Sequence, residues 1–306
     1  MTSAITATGV SKSFGSHCVI NSLSLSIGRG CVYGLVGLNG AGKTTLLRLL
    51  LGILKPDAGE IRILDTTPWS HETALYRRCG VVLESDGFWG NLSAAENCEV
   101  YAAAKGVGKR ELASYLDEFW SKSDLFTSGK HVKNFSRGQR MQCALCRAFM
   151  GNPDICLLDE PALALDLNAY DLFKKLVFAA RNRGAAVIIS SHQLETIDEL
   201  CDRAGILSDG TITEISQSRD TLRSQWFIDT SGEDTVARLI TNAGGTDLGF
   251  DAGWRFTIAD CEAKIPGIIR AIVDAGFDIR EARPDDKGFG TAIRTIFASA
   301  SGRKTT

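Results

Sequence analysis

Residues Gly37 to Thr45 read Gly-Leu-Asn-Gly-Ala-Gly-Lys-Thr-Thr and follow the apolar run Cys31-Val32-Tyr33-Gly34-Leu35-Val36. An apolar run that ends in such a turn and opens straight onto the helical run Thr44 to Ile53 constrains the fold more than any other stretch. It predicts a buried strand, a glycine turn that wraps an anion, and a helix whose N-terminus points at that anion. Glycines at 37, 40 and 42 let the backbone curl without Cβ clashes. Successive N–H groups through Leu38, Asn39, Gly40, Ala41 and Gly42 then make a phosphate cradle. In this pattern Lys43 reaches the β- and γ-phosphates, the Thr44 hydroxyl holds Mg²⁺, and Thr45 completes the first turn.

The rest of the chain limits what can surround that cradle. With 306 residues there is room for one large domain or two smaller ones with a substantial core. Residues 1–223 carry 24 Lys+Arg and 24 Asp+Glu and the tail carries 10 against 12, so neither half is basic, which argues against a nucleic-acid footprint. No run of 18 apolar residues occurs, and the opening Met1-Thr2-Ser3-Ala4-Ile5 lacks the charged and apolar regions of a secretory signal, so a cytosolic location is expected. The nine cysteines are odd in number and scattered, and read as reduced thiols. Cys143 and Cys146 form a Cys-x-x-Cys on a helical run with no second pair, short of the four ligands a structural zinc requires.

Residues 3–8 and 17–27 alternate like antiparallel strands. Beyond residue 31 strands and helices alternate, with short strands at Ile61–Leu64, Val81–Leu83, Ile155–Leu158 and Ala186–Ser190. Helices are expected over Thr44–Ile53, 93–105, 109–120, 137–150, Asn168–Arg181 and Gln193–Cys201. Such alternation predicts a mostly parallel sheet with helical cover, and the helix-only stretch of roughly 85–150 predicts a helical lobe inserted into it. The tail reads differently. Strands at Trp226–Asp229, Gly249–Asp251, Arg255–Ile258 and Phe277–Ala282, with helices at Glu233–Asn242 and Ala263–Ala275, give a β-α-β-β-α-β order like a small ferredoxin-like α+β unit. The expected domains are 1–216 and 224–306.

Ile155-Cys156-Leu157-Leu158-Asp159-Glu160 is an apolar strand that ends in two acids. A buried strand delivers Asp159 to the sheet edge where the phosphate turn lies. There Asp159 holds Mg²⁺ through water and Glu160 orients or deprotonates an attacking water. Ser136-Arg137-Gly138-Gln139 begins a long helix as a capping box, and its exposed N-terminus offers a second anion site.

At this point the chain resembles the ATP-binding subunit of an ABC transporter over residues 3 to 216. The matching segments fall in the family's order. Gly37–Thr45 is similar to Walker A, and Phe135-Ser136-Arg137-Gly138-Gln139 to the signature Leu-Ser-Gly-Gly-Gln. Ile155–Asp159 with Glu160 is similar to Walker B and its catalytic acid, Ala164-Leu165-Asp166 to the D-loop, and Ser190-Ser191-His192 to the switch-histidine strand end. The resemblance implies an α/β fold of the P-loop NTPase ABC cassette type, with a mixed sheet core, an antiparallel β subdomain and a helical lobe, plus the small C-terminal α+β domain. It implies an ATPase with ATP and Mg²⁺ as its cofactors. It further implies a head-to-tail dimer in which Ser136, Gly138 and Gln139 of one copy cap the γ-phosphate on Lys43 of the other. In that picture Glu160, His192 and Lys43 are catalytic, Asp166 lies at the dimer seam, and Phe14 stacks on adenine where the family more often has tyrosine.

Two residues depart from the pattern. Glu84 stands where the family has the Q-loop glutamine; a carboxylate still offers oxygen to Mg²⁺, but adds negative charge beside the triphosphate. Arg137 replaces the first signature glycine and either adds a cation near phosphate or faces solvent. Asp86-Gly87-Phe88-Trp89-Gly90-Asn91-Leu92 reads as an exposed docking patch, where the family receives the coupling helix of an integral-membrane permease; an ordinary packed loop is the competing reading. The partners implied are that permease and a second cassette, identical or paralogous, with the chain peripheral on the inner face of the cell membrane. Export of a drug or peptide antibiotic fits the single cassette and small tail best. A non-transport ABC ATPase of ribosomes or DNA stands as the alternative, although two cassettes, a coiled-coil insert and a basic linker are all missing. A P-loop kinase or GTPase would leave the signature helix unexplained.

Overall fold

The computed structural model describes residues 3–69, 73–83, 87–121, 123–215, 225–250 and 253–284. These fall into two compact units, one running to Glu214 and the other starting at Ile215. Along the first unit the strands are β1 (Ser3–Phe14), β2 (His17–Gly28), β3 (Val32–Val36), β4 (Ala58–Ile63), β5 (Cys79–Val82), β6 (Ile155–Asp159), β7 (Ala186–Ser191), β8 (Arg203–Ser208) and β9 (Thr211–Glu214). Its helices are α1 (Lys43–Leu50), α2 (Thr73–Arg77), α3 (Ala94–Lys105), α4 (Lys109–Trp120), α5 (Arg137–Phe149), α6 (Leu167–Asn182) and α7 (Leu194–Leu200).

Two sheets enclose one core. The antiparallel sheet runs β2-β1-β4, and the larger sheet runs β5-β6-β7-β3-β8-β9, parallel except for its edge strand β9. Every residue of β3, β6 and β7 is buried, as expected of parallel strands covered on both faces. Helix α1 touches β2 and β4 of one sheet and β6 of the other. Its Leu46, Leu47, Leu49 and Leu50 are fully buried, each contributing about 1.5–3 kcal/mol of hydrophobic burial. The helix behind the phosphate turn is therefore clamped on opposite sides. Between β5 and β6 the chain forms the lobe of α3, α4 and α5. Ser93 and Glu96 make a capping box that starts α3.

The structure corrects several sequence-based boundaries. Helix α1 stops at Leu50 rather than Ile53, because Gly52 at φ +69° turns the chain out of the helix. Strand β4 begins at Ala58 rather than Ile61, drawn out by pairing with β1 through Thr8↔Glu60 and Ser11↔Ala58. Helix α2 and the hairpin β8–β9 were absent from the sequence reading. The hairpin turns on Asp209-Gly210, both at positive φ, the dipeptide that matches a primed turn.

The second unit has β10 (Gln225–Thr230), α8 (Glu233–Asn242), β11 (Gly245–Phe250), β12 (Trp254–Ile258), α9 (Cys261–Asp274) and β13 (Ile279–Pro284). Its sheet order is β11-β12-β10-β13, with all neighbours antiparallel. Ile228, Val236, Ile240, Phe256 and Ile268 are among the buried residues between sheet and helices. The strand expected at Gly249–Asp251 instead starts at Gly245, and Asp251 lies outside the described residues.

Candidate functional site

The order β6-β7-β3 places three loops side by side at one sheet edge. Parallel strands align their C-terminal ends, so the turn after β3, the acids ending β6 and His192 after β7 converge without any long-range device. Register makes this specific: Asp159 pairs with Ser190, and Ser190 pairs with Leu35 one residue before the end of β3.

The turn itself is shaped by two left-handed glycines, Gly40 at φ +83° and Gly42 at φ +102°, conformations costly for a residue with a Cβ. A side chain at Gly37 would put its Cβ 2.8 Å from the Leu207 carbonyl oxygen. Ala41 N–H donates to the Leu38 carbonyl at 3.1 Å, closing the turn. Gly42 is the N-cap of α1, with no side-chain cap and no acid in the first turn, so the start of α1 is open to an anion. That is the fit required for phosphate. The donor set for Mg²⁺ is also suitable, because the Thr44 hydroxyl and an Asp159 carboxylate oxygen lie 2.6 Å apart and are hard oxygen ligands.

Lys43 is buried; its ammonium donates to the Gly37 carbonyl at 2.6 Å and lies 3.2 Å from Glu160 Oε1. Glu160 Oε2 is 2.9 Å from His192 Nδ1, an arrangement that puts a ring proton on Nδ1. Glu160 sits at φ +47°, a strained backbone for glutamate, and such outliers cluster at functional sites. Lys43, Glu160 and His192 thus form one contact chain, with the Thr44–Asp159 pair beside it.

A cavity of about 840 Å³ opens beside it. Leu38, Asn39, Gly40, Gly42, Lys43, Thr44, Thr45, Asp159, Glu160 and Phe14 all line it, whereas Gly37 and Ala41 shape the turn from outside. Phe14, at the end of β1, is half exposed, and its approach is braced by Asp57. That carboxylate takes a hydrogen bond from Lys12 at 2.8 Å and one from Ser13 N–H at 2.7 Å, and the Lys12 bond in particular holds it below the usual carboxylate range. His17, Val19, Val82, Leu83 and Leu163 also line the cavity and were missed. His17 was findable, since it pairs directly across from Phe14 over the Gly15-Ser16 turn.

The far wall comes from α5, through Arg137, Arg140, Met141 and Ala144. Arg137 therefore lines the cavity of its own chain. Ser136, Gly138 and Gln139 are outside that lining and start the helix: Gln139 N–H donates to Ser136 Oγ at 3.2 Å and Ser136 N–H to Gln139 Oε1 at 3.0 Å. Gly138 approaches Ala164 so closely that a Cβ would be 2.6 Å from its carbonyl oxygen. Asp166 caps α6, accepting from Ala169 N–H at 2.8 Å. Glu84, with Ser85 and Asp86, lies outside the described residues. Cys146 meets Cys98 at 3.8 Å between sulfurs, and burial raises its thiol pKa well above the ordinary value.

Beside the lobe, Trp89 packs at a tilt on Tyr101, 5.3 Å between ring centres, and the Arg147 guanidinium covers the rings of Phe88 and Tyr101 at 4.8 and 4.9 Å. Buried Asn97 ties both backbone groups of Trp89. The loop is packed from below, yet Trp89 keeps 49% of its surface exposed.

The chain is similar to known proteins in sequence and in structure. The ABC transporter family model matches residues 20–163. The bacitracin transport ATP-binding protein BcrA of Bacillus licheniformis is 34% identical over 216 residues, covering 70% of each chain. The Nod factor export ATP-binding protein I of Bradyrhizobium diazoefficiens is 34% identical over 208 residues, 68% of each chain. The daunorubicin resistance ATP-binding protein DrrA3 of Streptomyces coeruleorubidus is 28% identical over 296 residues, 91% of this chain and 90% of its own. Among solved structures, an ATP-binding subunit of an ABC transporter superposes with a TM-score of 0.65 at 25% identity, over 72% of this chain and 92% of that one. With a relative at this identity and coverage, the chain belongs to the ABC transporter family, as an ATP-binding subunit that hydrolyses ATP.

Proposed function

We propose that this chain is the motor of a membrane exporter, working as one of a pair of cassettes on the inner face of the membrane beside an integral-membrane permease. The observation that carries the reading is the meeting of Lys43, Thr44, Asp159, Glu160 and His192 at the ends of three adjacent strands. Mg²⁺ accompanying ATP would neutralise phosphate charge. Lys43 binds the β- and γ-phosphates, Thr44 and Asp159 present oxygens to the cation, Glu160 takes the proton of the attacking water, and His192 holds Glu160 in line. Ser136, Gly138 and Gln139 serve the partner copy's nucleotide, so an isolated copy has half the donors and hydrolyses slowly. Relatives named for bacitracin transport, Nod factor export and daunorubicin resistance favour export over a ribosome- or DNA-associated role.

Three measurements test this. Glu160→Gln protein loaded with ATP and Mg²⁺ beside its permease should give cross-linked cassette pairs; their absence would remove the dimer from the scheme. Trp89→Ala should weaken co-purification with the permease about tenfold or more, since exposed tryptophans anchor interfaces, while nucleotide binding stays intact. Unchanged co-purification would count against the docking role. Phe14→Ala should loosen ATP about fivefold or more, the scale of losing one base–aromatic stack, as read by fluorescent-nucleotide titration.

A further inference from the structure

Strand β7 closes on two serines after an apolar run. The first of them, Ser190, is fully buried beyond Ala186, Val187, Ile188 and Ile189. A hydroxyl placed there is unfavourable unless both its proton and its lone pair are used. Both are used, one on the Asp159 carboxylate and one on the backbone of Glu160. Ser190 Oγ donates to Asp159 Oδ1 at 2.5 Å and accepts from Glu160 N–H at 3.0 Å.

The consequences differ for the two acids. Asp159 has its second oxygen on the Thr44 hydroxyl at 2.6 Å, so Ser190 and Thr44 grip the carboxylate from opposite sides and fix its rotation. Glu160 has a left-handed backbone at φ +47°. Its N–H is shared between the Ser190 carbonyl at 3.2 Å and the Ser190 hydroxyl at 3.0 Å. A strained turn persists only where its surroundings over-determine it, and this shared N–H is such a restraint. It aims the Glu160 side chain at Lys43 and His192.

We infer that Ser190 is a positioning residue for ATP hydrolysis, whose single hydroxyl sets the Asp159 carboxylate and the Glu160 backbone in one geometry. The inference rests on the roles given above to Asp159 and Glu160. Alanine at 190 leaves Asp159 Oδ1 without a donor and Glu160 N–H with only the carbonyl. Threonine keeps both bonds.

The test uses the full chain purified with its permease, as wild type, Ser190→Ala, Ser190→Thr and Glu160→Gln. For Ser190→Ala, kcat should fall about 10- to 100-fold, the usual cost of losing a group that orients a ligand, with KM for ATP within about twofold. Fluorescent ATP-analogue affinity in EDTA should match wild type, and the extra affinity gained with Mg²⁺ should shrink. Ser190→Thr should recover most of kcat. Wild-type kcat in Ser190→Ala overturns the inference. So does an equal loss in the alanine and threonine variants, or a fall in melting temperature with kcat retained, each of which assigns Ser190 to packing alone. Should Ser190→Ala not fold, Ser190→Cys, similar in size but a weak donor, supplies the same comparison. If Glu160→Gln itself hydrolyses at the wild-type rate, the roles of the acids fail, independently of Ser190.

Discussion

Glu160→Gln is expected to lower steady-state hydrolysis by about two to three orders of magnitude, the contribution of a positioned general base. Glutamine keeps the volume and the hydrogen-bonding reach of glutamate but cannot take a proton. Nucleotide affinity should move the other way. Lys43 lies 3.2 Å from Glu160 Oε1, so an arriving phosphate competes with a carboxylate for that ammonium. Neutralising the carboxylate removes the competitor, and ATP should bind more tightly than to wild type. Phosphate release and equilibrium titration on one preparation check both signs. A variant that hydrolyses normally would exclude Glu160 as the base.

The largest structural effect is expected at Gly80, well away from any phosphate. Its β5 backbone packs against the end of α5 so closely that an alanine Cβ would lie 2.0 Å from the Ala148 carbonyl oxygen and 3.2 Å from Pro153 Cγ. The first of these is backbone, and the helix end carrying it is pinned. Lys105 donates to the Met150 carbonyl at 3.1 Å, and Tyr115 to the Cys146 carbonyl at 2.9 Å. Gly80→Ala should therefore destabilise the cassette by about 3 kcal/mol or more, the upper range for overpacking. It should also weaken ATP binding, because β5 leads to Val82 and Leu83 and α5 carries Met141 and Ala144, all in the cavity wall. Gly267→Ala gives the opposite sign. It lies within α9 with nothing inside 4 Å of its Cβ, and should gain up to about 1 kcal/mol from helix propensity. Denaturant melts of the two variants check the pair. Equal stability of Gly80→Ala and wild type would show that α5 can retreat.

Local chemistry was legible in the sequence, and pairing was not. The turn at Gly37–Thr45, the acids ending β6 and the capping box at Ser136 each write their signal into a few consecutive residues, and the structure has each element there. Strand β4 was read short because Ala58, Gly59 and Glu60 are polar or small and become strand only against β1. Strand β11 was displaced for a like reason, its Gly245 and Thr246 being extended by Ile258 and Thr257. In α2, five residues are too few for helical periodicity to register. Ser190 stands in the Ser190-Ser191-His192 run, but its task appears only when β6 and β7 lie in register. The cavity wall from α5 was equally hidden, as it depends on how the lobe packs against β5.

The absence of a side chain at Gly138 lets two parts of the cassette meet backbone to backbone. With the Ala164 carbonyl fitting where a methyl would go, the head of α5 and the segment following Glu160 share a joint with no slack. A shift of the helical lobe towards this segment would press directly on residues 160–166, the stretch that begins with Glu160.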